Sequence, residues 1–241
     1  MHRSRLLSRR PYPSYTLWLG ALIAGLSLQS SAWCAQVSAQ DNTPTAQQVA
    51  AHVQAFYDQT RVVEASFKQR YFFKLHKRYD RSKGKVIFDK KGRMRWDYHN
   101  DGKVIVSNGK KLKIYEPGED SSPGQLIESP VNKNQLPIAF SFLMGQGKLR
   151  DQFKFRLLEE QKGFDGHLLE LRPHKNTPLF KRVIFLVGKD KLRGVVRRVM
   201  LIDAAGNINR FDFSGLKFNR KIPNKRFSIQ VPKRTVVIRP S

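Results

Sequence analysis

Histidines, the lone cysteine and the carboxylates come first, because metal, nucleophilic and acid–base chemistry all need them at particular spacings. The six histidines are His2, His52, His76, His99, His167 and His174. They form no H-E-x-x-H and no compact pair with Cys34, so a zinc centre is not expected. His167 and His174 sit seven apart in "GHLLELRPH", which places them on opposite faces of a strand. No G-x-S-x-G elbow occurs. "GQGKL" at 145–149 lacks both the spacing of a phosphate loop and the Ser or Thr that follows it. Glu159 and Glu160 adjoin a turn and read as solvated charges rather than an acid–base couple. The balance favours binding over catalysis: no enzyme, no cofactor and no metal is expected.

Charge raises the opposite possibility, a nucleic-acid binder. Lys and Arg number 45 against 19 Asp and Glu, a net charge of +26. The stretch "GRMRWDY" at 92–98 interleaves arginines with aromatics, as a surface does that holds phosphates and stacks bases. The same residues alternate with period two: Met94, Trp96 and Tyr98 share one face, and Arg93, Arg95 and Asp97 the other. That is the ordinary pattern of a strand with one wet face, and it is the preferred reading.

Compartment weighs the same way. Arg3, Arg5, Arg9 and Arg10 precede the uncharged run "YTLWLGALIAGLSL" (15–28) and the small-residue stretch "QSSAWCAQVSAQ", the anatomy of a secretory signal. The run is shorter than the ~20 residues needed to span a bilayer. Residues 1–39 are therefore expected to be a signal peptide cleaved near 34–39, after Cys34 or Ala39, leaving 40–241 as a single domain. Bulky Trp33 argues against lipid attachment at Cys34. Removal of four arginines and no acid leaves +22 of the +26. An exported protein meets anionic membranes and acidic partners more than nucleic acid. The mature chain has no cysteine pair, so an apolar core must hold it.

The elements that position these residues follow from periodicity. "TAQQVAAHVQAFYDQT" (45–60) sets Val49, Val53, Phe56 and Tyr57 on one helical face, with Thr45 and Gln48 as a capping box. "VEASFKQRYFFKL" reads as a strand and "HKRYDRSKG" as a charged loop. From Gly84 onward come "KVIFD", "RMRWDY", "VIVSNGKKLKIYEP", "FKFRLLEE", "GHLLELRP", "RVIFLVGKDKLRGVVRRVMLID", "INRFDFSGLKF" and "RFSIQVP", joined by short connectors such as Asn108-Gly109. This is an antiparallel meander with no β-α-β rhythm. One segment, "NQLPIAFSFLMGQGKL" (134–149), has almost no polar face and is either a short core helix or the cover of an apolar cavity.

"GKVIFDKKGRMRWDY", "VIVSNGKKLKIYEP", "LPIAFSFLMGQGKL" and "RFSIQVPKRTVVI" occur here in the order found in the periplasmic outer-membrane lipoprotein carriers, and over about 45–238 the chain resembles that LolA family. The resemblance implies a mainly β, α+β fold: a strongly curved antiparallel sheet forming an incomplete barrel, closed by a lid of α-helices around an apolar cavity. It implies a periplasmic chaperone, expected as a monomer, that binds acyl chains of lipoproteins. An inner-membrane lipoprotein-releasing ABC transporter would load it and an outer-membrane lipoprotein acceptor would receive the cargo. Met94, Trp96 and Tyr98 would line the cavity, and Ile138, Phe140, Phe142, Leu143 and Met144 fall at lid positions. Where relatives carry Arg-Pro this chain has Lys90-Lys91, so Lys90 is the candidate lid latch, without the planar fork of an arginine. The alternatives are a related periplasmic sensor or glycolipid carrier on the same sheet, a secreted polyanion-binding protein, and a hydrolase without a motif.

Overall fold

The computed structural model describes residues 43–120, 122–131, 147–159 and 165–240. Helix α1 (Ala46–Gln59) begins as expected: Thr45 is its N-cap, and the Thr45 and Gln48 side chains each bond the other's backbone N–H. Its apolar stripe buries Val49, Ala50, Val53 and Tyr57, and the chain turns out of the helix at Thr60, whose hydroxyl donates to the Phe56 carbonyl.

The strands are β1 (Val62–Phe73), β2 (Arg78–Asp89), β3 (Arg93–Tyr98), β4 (Val104–Asn108), β5 (Lys111–Glu116), β6 (Gln125–Pro130), β7 (Phe153–Leu158), β8 (His167–Pro173), β9 (Arg182–Val187), β10 (Val196–Ile202), β11 (Ile208–Phe218) and β12 (Val236–Ile238). A one-turn helix, α2 (Leu149–Gln152), leads into β7. All twelve strands form one sheet in the order β12-β6-β5-β4-β3-β2-β1-β11-β10-β9-β8-β7. Two meanders meet where β1 pairs with β11, and the outer strands β12 and β7 do not pair, so the sheet is not closed. Neighbours are antiparallel except β12, which runs parallel to β6.

Irregularities in β1, between Glu64 and Ser66, and in β10, between Val196 and Arg198, bend the strands locally. The principal core draws on α1 and on β1, β2, β3, β8, β9, β10 and β11 together, so both meanders turn the same face towards the helix. Gly84 is required there. A Cβ on it would lie 1.9 Å from the Asp97 carbonyl oxygen and 2.8 Å from the Phe67 ring.

Two expectations are corrected. "RYDRSKG" is strand rather than loop: β2 begins at Arg78 and pairs with β1 residue by residue to Asp89, with a turn only at 74–77. Its side chains are mostly exposed, so backbone pairing holds it extended, helped by Tyr79 against Phe72 and Arg78 over the Phe73 ring. Conversely, "RFSIQVP" is not a strand. Asn224–Phe227 is a 3₁₀ turn followed by unpaired chain, and Phe227 packs with Val62, Ile87 and Val106 on the face away from α1. Strands β6 and β12 were not anticipated.

Candidate functional site

The inner face of β3 carries the side chains singled out from the sequence. Met94 and Trp96 are buried, 3% and 6% exposed, and Tyr98 is half-buried against the same core. Trp96 lies in an aromatic cage: its ring centroid is 5.5 Å from Phe88, 5.3 Å from Phe211 and 5.0 Å from Phe67, which also stands 5.0 Å from Tyr98. Phe67, Phe88 and Phe211 were not selected from the sequence. Phe67 and Phe211 alternate with polar neighbours as Trp96 does, whereas Phe88 follows the apolar Ile87, and the convergence of all three depends on which strands pair.

This face is electrically neutral. Burial, with Asp101 adding to it, pushes the Tyr98 phenol up to about 12. Burial also raises the Tyr57 phenol, although the Val196 N–H donates to its oxygen at 3.3 Å and works against the shift. Both remain uncharged over the working pH range, so the surface offers bulk and polarizability rather than a reactive group.

Helix α1 belongs to the same apolar cluster and packs chiefly against β7, β8 and α2. Besides Val196 N–H to Tyr57, two further polar ties hold it: the Leu149 N–H donates to Gln54 Oε1 at 2.8 Å, and Lys90 Nζ donates to the Asp58 carbonyl oxygen near the helix C-terminus. Beneath the helix the void bounded by Tyr57, Val63, Val86, Phe88 and Val196 amounts to about 10 Å³, room for one water at most. On the other flank of α1, a groove of about 420 Å³ runs between Ala51, Gln54 and Ala55 and Leu149 and Phe155. Ile138, Phe140, Phe142, Leu143 and Met144 lie outside the described residues.

The arginines of "GRMRWDY" take a different role. Arg95 donates through Nη1 to the carbonyls of Arg226, at 3.2 Å, and Ser228, at 3.0 Å, while its Nε meets Asp97 at 2.8 Å. Arg93 bonds Asn224 and Asp89, and its guanidinium lies over the Phe227 ring, 4.5 Å from the centroid. They fasten the C-terminal segment to the outer face and are engaged there. Among the described residues no cluster of His, Cys, Asp or Glu is arranged to hold a metal ion, and no helix is long and apolar enough to cross a membrane.

Several known proteins resemble this chain. The family model described as outer membrane lipoprotein carrier protein LolA matches residues 58–230. A protein of Nitrosospira multiformis named outer-membrane lipoprotein carrier protein is 29% identical over 186 residues, covering 75% of this chain and 83% of its own. One of the same name from Pseudomonas putida is 26% identical over 188 residues, covering 76% and 84%. Among solved structures, a LolA superfamily protein of Nitrosomonas europaea is 16% identical with a TM-score of 0.43, over 77% of this chain and 98% of that one.

Proposed function

Since the chain belongs to the LolA family of outer membrane lipoprotein carrier proteins, we propose that it is a periplasmic carrier, made with a signal in residues 1–39, whose domain at 40–241 binds the acyl chains of lipoproteins. It works by carriage and not by covalent chemistry. Cargo would come from an inner-membrane lipoprotein-releasing ABC transporter and pass to an outer-membrane lipoprotein acceptor, with the carrier acting as a monomer.

The observation that carries this reading is the neutral aromatic face around Trp96, buried in one apolar cluster with helix α1. Acyl chains cannot cross water unaided, since each buried methylene is worth ~0.8 kcal/mol. Acyl chains would enter by displacing α1, since the described void beside Tyr57 holds one water at most. Loss of the contacts of Val49, Val53 and Tyr57 then offsets part of the gain from acyl burial. That competition suits a carrier, which has to release what it holds. Met94, Trp96 and Tyr98 would line the opened cavity, Ile138, Phe140, Phe142, Leu143 and Met144 would complete the cover, and Lys90 would latch it through the Asp58 carbonyl.

Spheroplasts carrying a labelled lipoprotein test the proposal. The added protein should release label into solution as a one-to-one complex. If all label stays membrane-bound while a known carrier frees it, this chain is not a lipoprotein carrier.

A further inference from the structure

The outer face of the sheet holds a second feature, on the side away from the aromatic cage. Across β2, β1 and β11, register places Arg81 opposite Arg70 and Arg70 opposite Arg210. One step along, Lys83 faces Lys68, which faces Asp212, which faces Arg198 on β10. Alternation puts all of these opposite the core residues Phe67, Phe211 and Val199. They line an open cleft of about 660 Å³ whose one acid is Asp212. That carboxylate is already taken: Arg198 Nε and Arg210 Nε and Nη2 all donate to it. Arg198 is the most recessed of these side chains, 14% exposed. Burial holds its pKa below the usual arginine value, with nearby Arg210 and Arg70 adding to the effect and Asp212 opposing it.

Like charges directly opposite one another in an antiparallel pair are destabilising. Arg70 faces an arginine on each side, and Lys68 faces a lysine. Nothing in the packing of the inner face calls for this arrangement, because every one of these residues points away from it.

We propose that this cleft is a docking surface for the phosphate headgroups of an anionic phospholipid membrane. Arginine forks and lysine points at cross-strand spacing match a layer of phosphates, and each basic residue near such a surface adds to binding until salt screens it. The cleft is open, as approach by a membrane requires, and it lies on the face opposite the acyl-binding proposal. It therefore stands or falls independently of that proposal.

Exported protein purified without cargo is sedimented with vesicles of phosphatidylcholine alone and of an equal mixture with phosphatidylglycerol. Only the mixed vesicles should bind it. Replacing both Arg70→Gln and Arg81→Gln should weaken that binding roughly tenfold, without lowering the melting temperature, since a like-charge pair is relieved. The double substitution Lys175→Gln with Lys191→Gln removes equal charge from exposed positions elsewhere and should change binding less than about twofold. If Arg70→Gln with Arg81→Gln unfolds the protein, Lys68→Gln with Lys83→Gln takes its place. Equal losses in the cleft and control variants would overturn the proposal, because net charge alone would explain them. So would binding of inorganic pyrophosphate or single-stranded DNA at the cleft with no preference for the mixed vesicles.

Discussion

Strand β3 is covered on both sides, and the two covers are built differently. On the inner side Met94 and Trp96 share one buried apolar cluster with α1, and three polar ties hold the helix in place. On the outer side the 224–229 segment is fastened by guanidinium groups: Arg95 to two carbonyls, Arg93 to Asn224 and the Phe227 ring. Apolar contact is non-directional, so another apolar object can replace it at little cost. Fixed donor–acceptor geometry offers no such substitute, because each displaced carbonyl would lose a charge-assisted partner. On the proposed carrier reading, the inner cover is the one an acyl chain would exchange with, while the outer cover stays part of the fold.

The strongest way to break this contrast is to weaken the outer cover. Phe227→Ala empties a site 4% exposed between Val62, Ile87 and Val106 and should cost about 3 kcal/mol. For a domain of this size that lowers the melting temperature by roughly 6–12 °C. Lipoprotein release by the remaining folded protein, assayed well below the melt, should be unchanged. A selective loss of release would make the outer segment part of the carrier site.

A second test uses acid. On the outer face of β8 the carboxylate of Glu170, 1% exposed, accepts from Arg172 and Arg182 at 2.8 Å and from Arg156 at 3.4 Å. Burial alone would raise its pKa, but the hydrogen bonds from Arg172, Arg182 and Arg156 outweigh that and hold it below the usual carboxylate range. A pKa depressed on folding adds stability above the unfolded value, near 4.3, and that stability is lost as pH falls towards the folded value. Urea midpoints should therefore drop as pH falls below about 4.3. Glu170→Gln should flatten this profile and cost about 1–3 kcal/mol at neutral pH. Acyl binding to the folded protein should not follow the same titration, since Glu170 lies on the opposite face of the sheet from the apolar cluster around Trp96.

Much of this contrast was legible in the sequence, and the illegible parts share a cause. The cap and apolar stripe of α1, and the alternation of Met94, Trp96 and Tyr98 with arginines, are local patterns and were read correctly. "RYDRSKG" hid its strand because both faces are wet, so no apolar period marks it. "RFSIQVP" imitated a strand because Phe227 and Ile229 pack onto a sheet without joining it. The carbonyl partners of Arg95, more than a hundred residues away in sequence, could not be foreseen from spacing. The cage around Trp96 was half visible: Phe67 and Phe211 show the right alternation, but with Phe88 they meet Trp96 only through the β3-β2-β1-β11 pairing.

The inner cover allows a sharper test, because weakening it should have effects of opposite sign. Val53→Ala removes fully buried methyls beneath α1 and should cost the empty protein about 1–2 kcal/mol. Under the proposed competition between acyl chain and helix, the same substitution should tighten binding of a fatty acid, read from the emission of Trp96, the chain's only tryptophan outside residues 1–39. Lower stability with weaker acyl binding would mean that α1 is ordinary core.

The smallest effect concerns Lys90, whose ammonium donates to the Asp58 carbonyl at the end of α1. The bond is exposed, so Lys90→Met should cost the empty protein only about 0.5 kcal/mol. Its kinetic consequence should be clearer: with a tie gone from the helix C-terminus, α1 opens more often and the acyl-induced change in Trp96 emission speeds up by about twofold, in line with that energy. Lys90→Arg keeps the charge and adds further donors, and should restore or exceed the wild-type closure time. Equal rates in all three proteins, measured by stopped flow at one temperature, would show that Lys90 decorates the helix end without latching it.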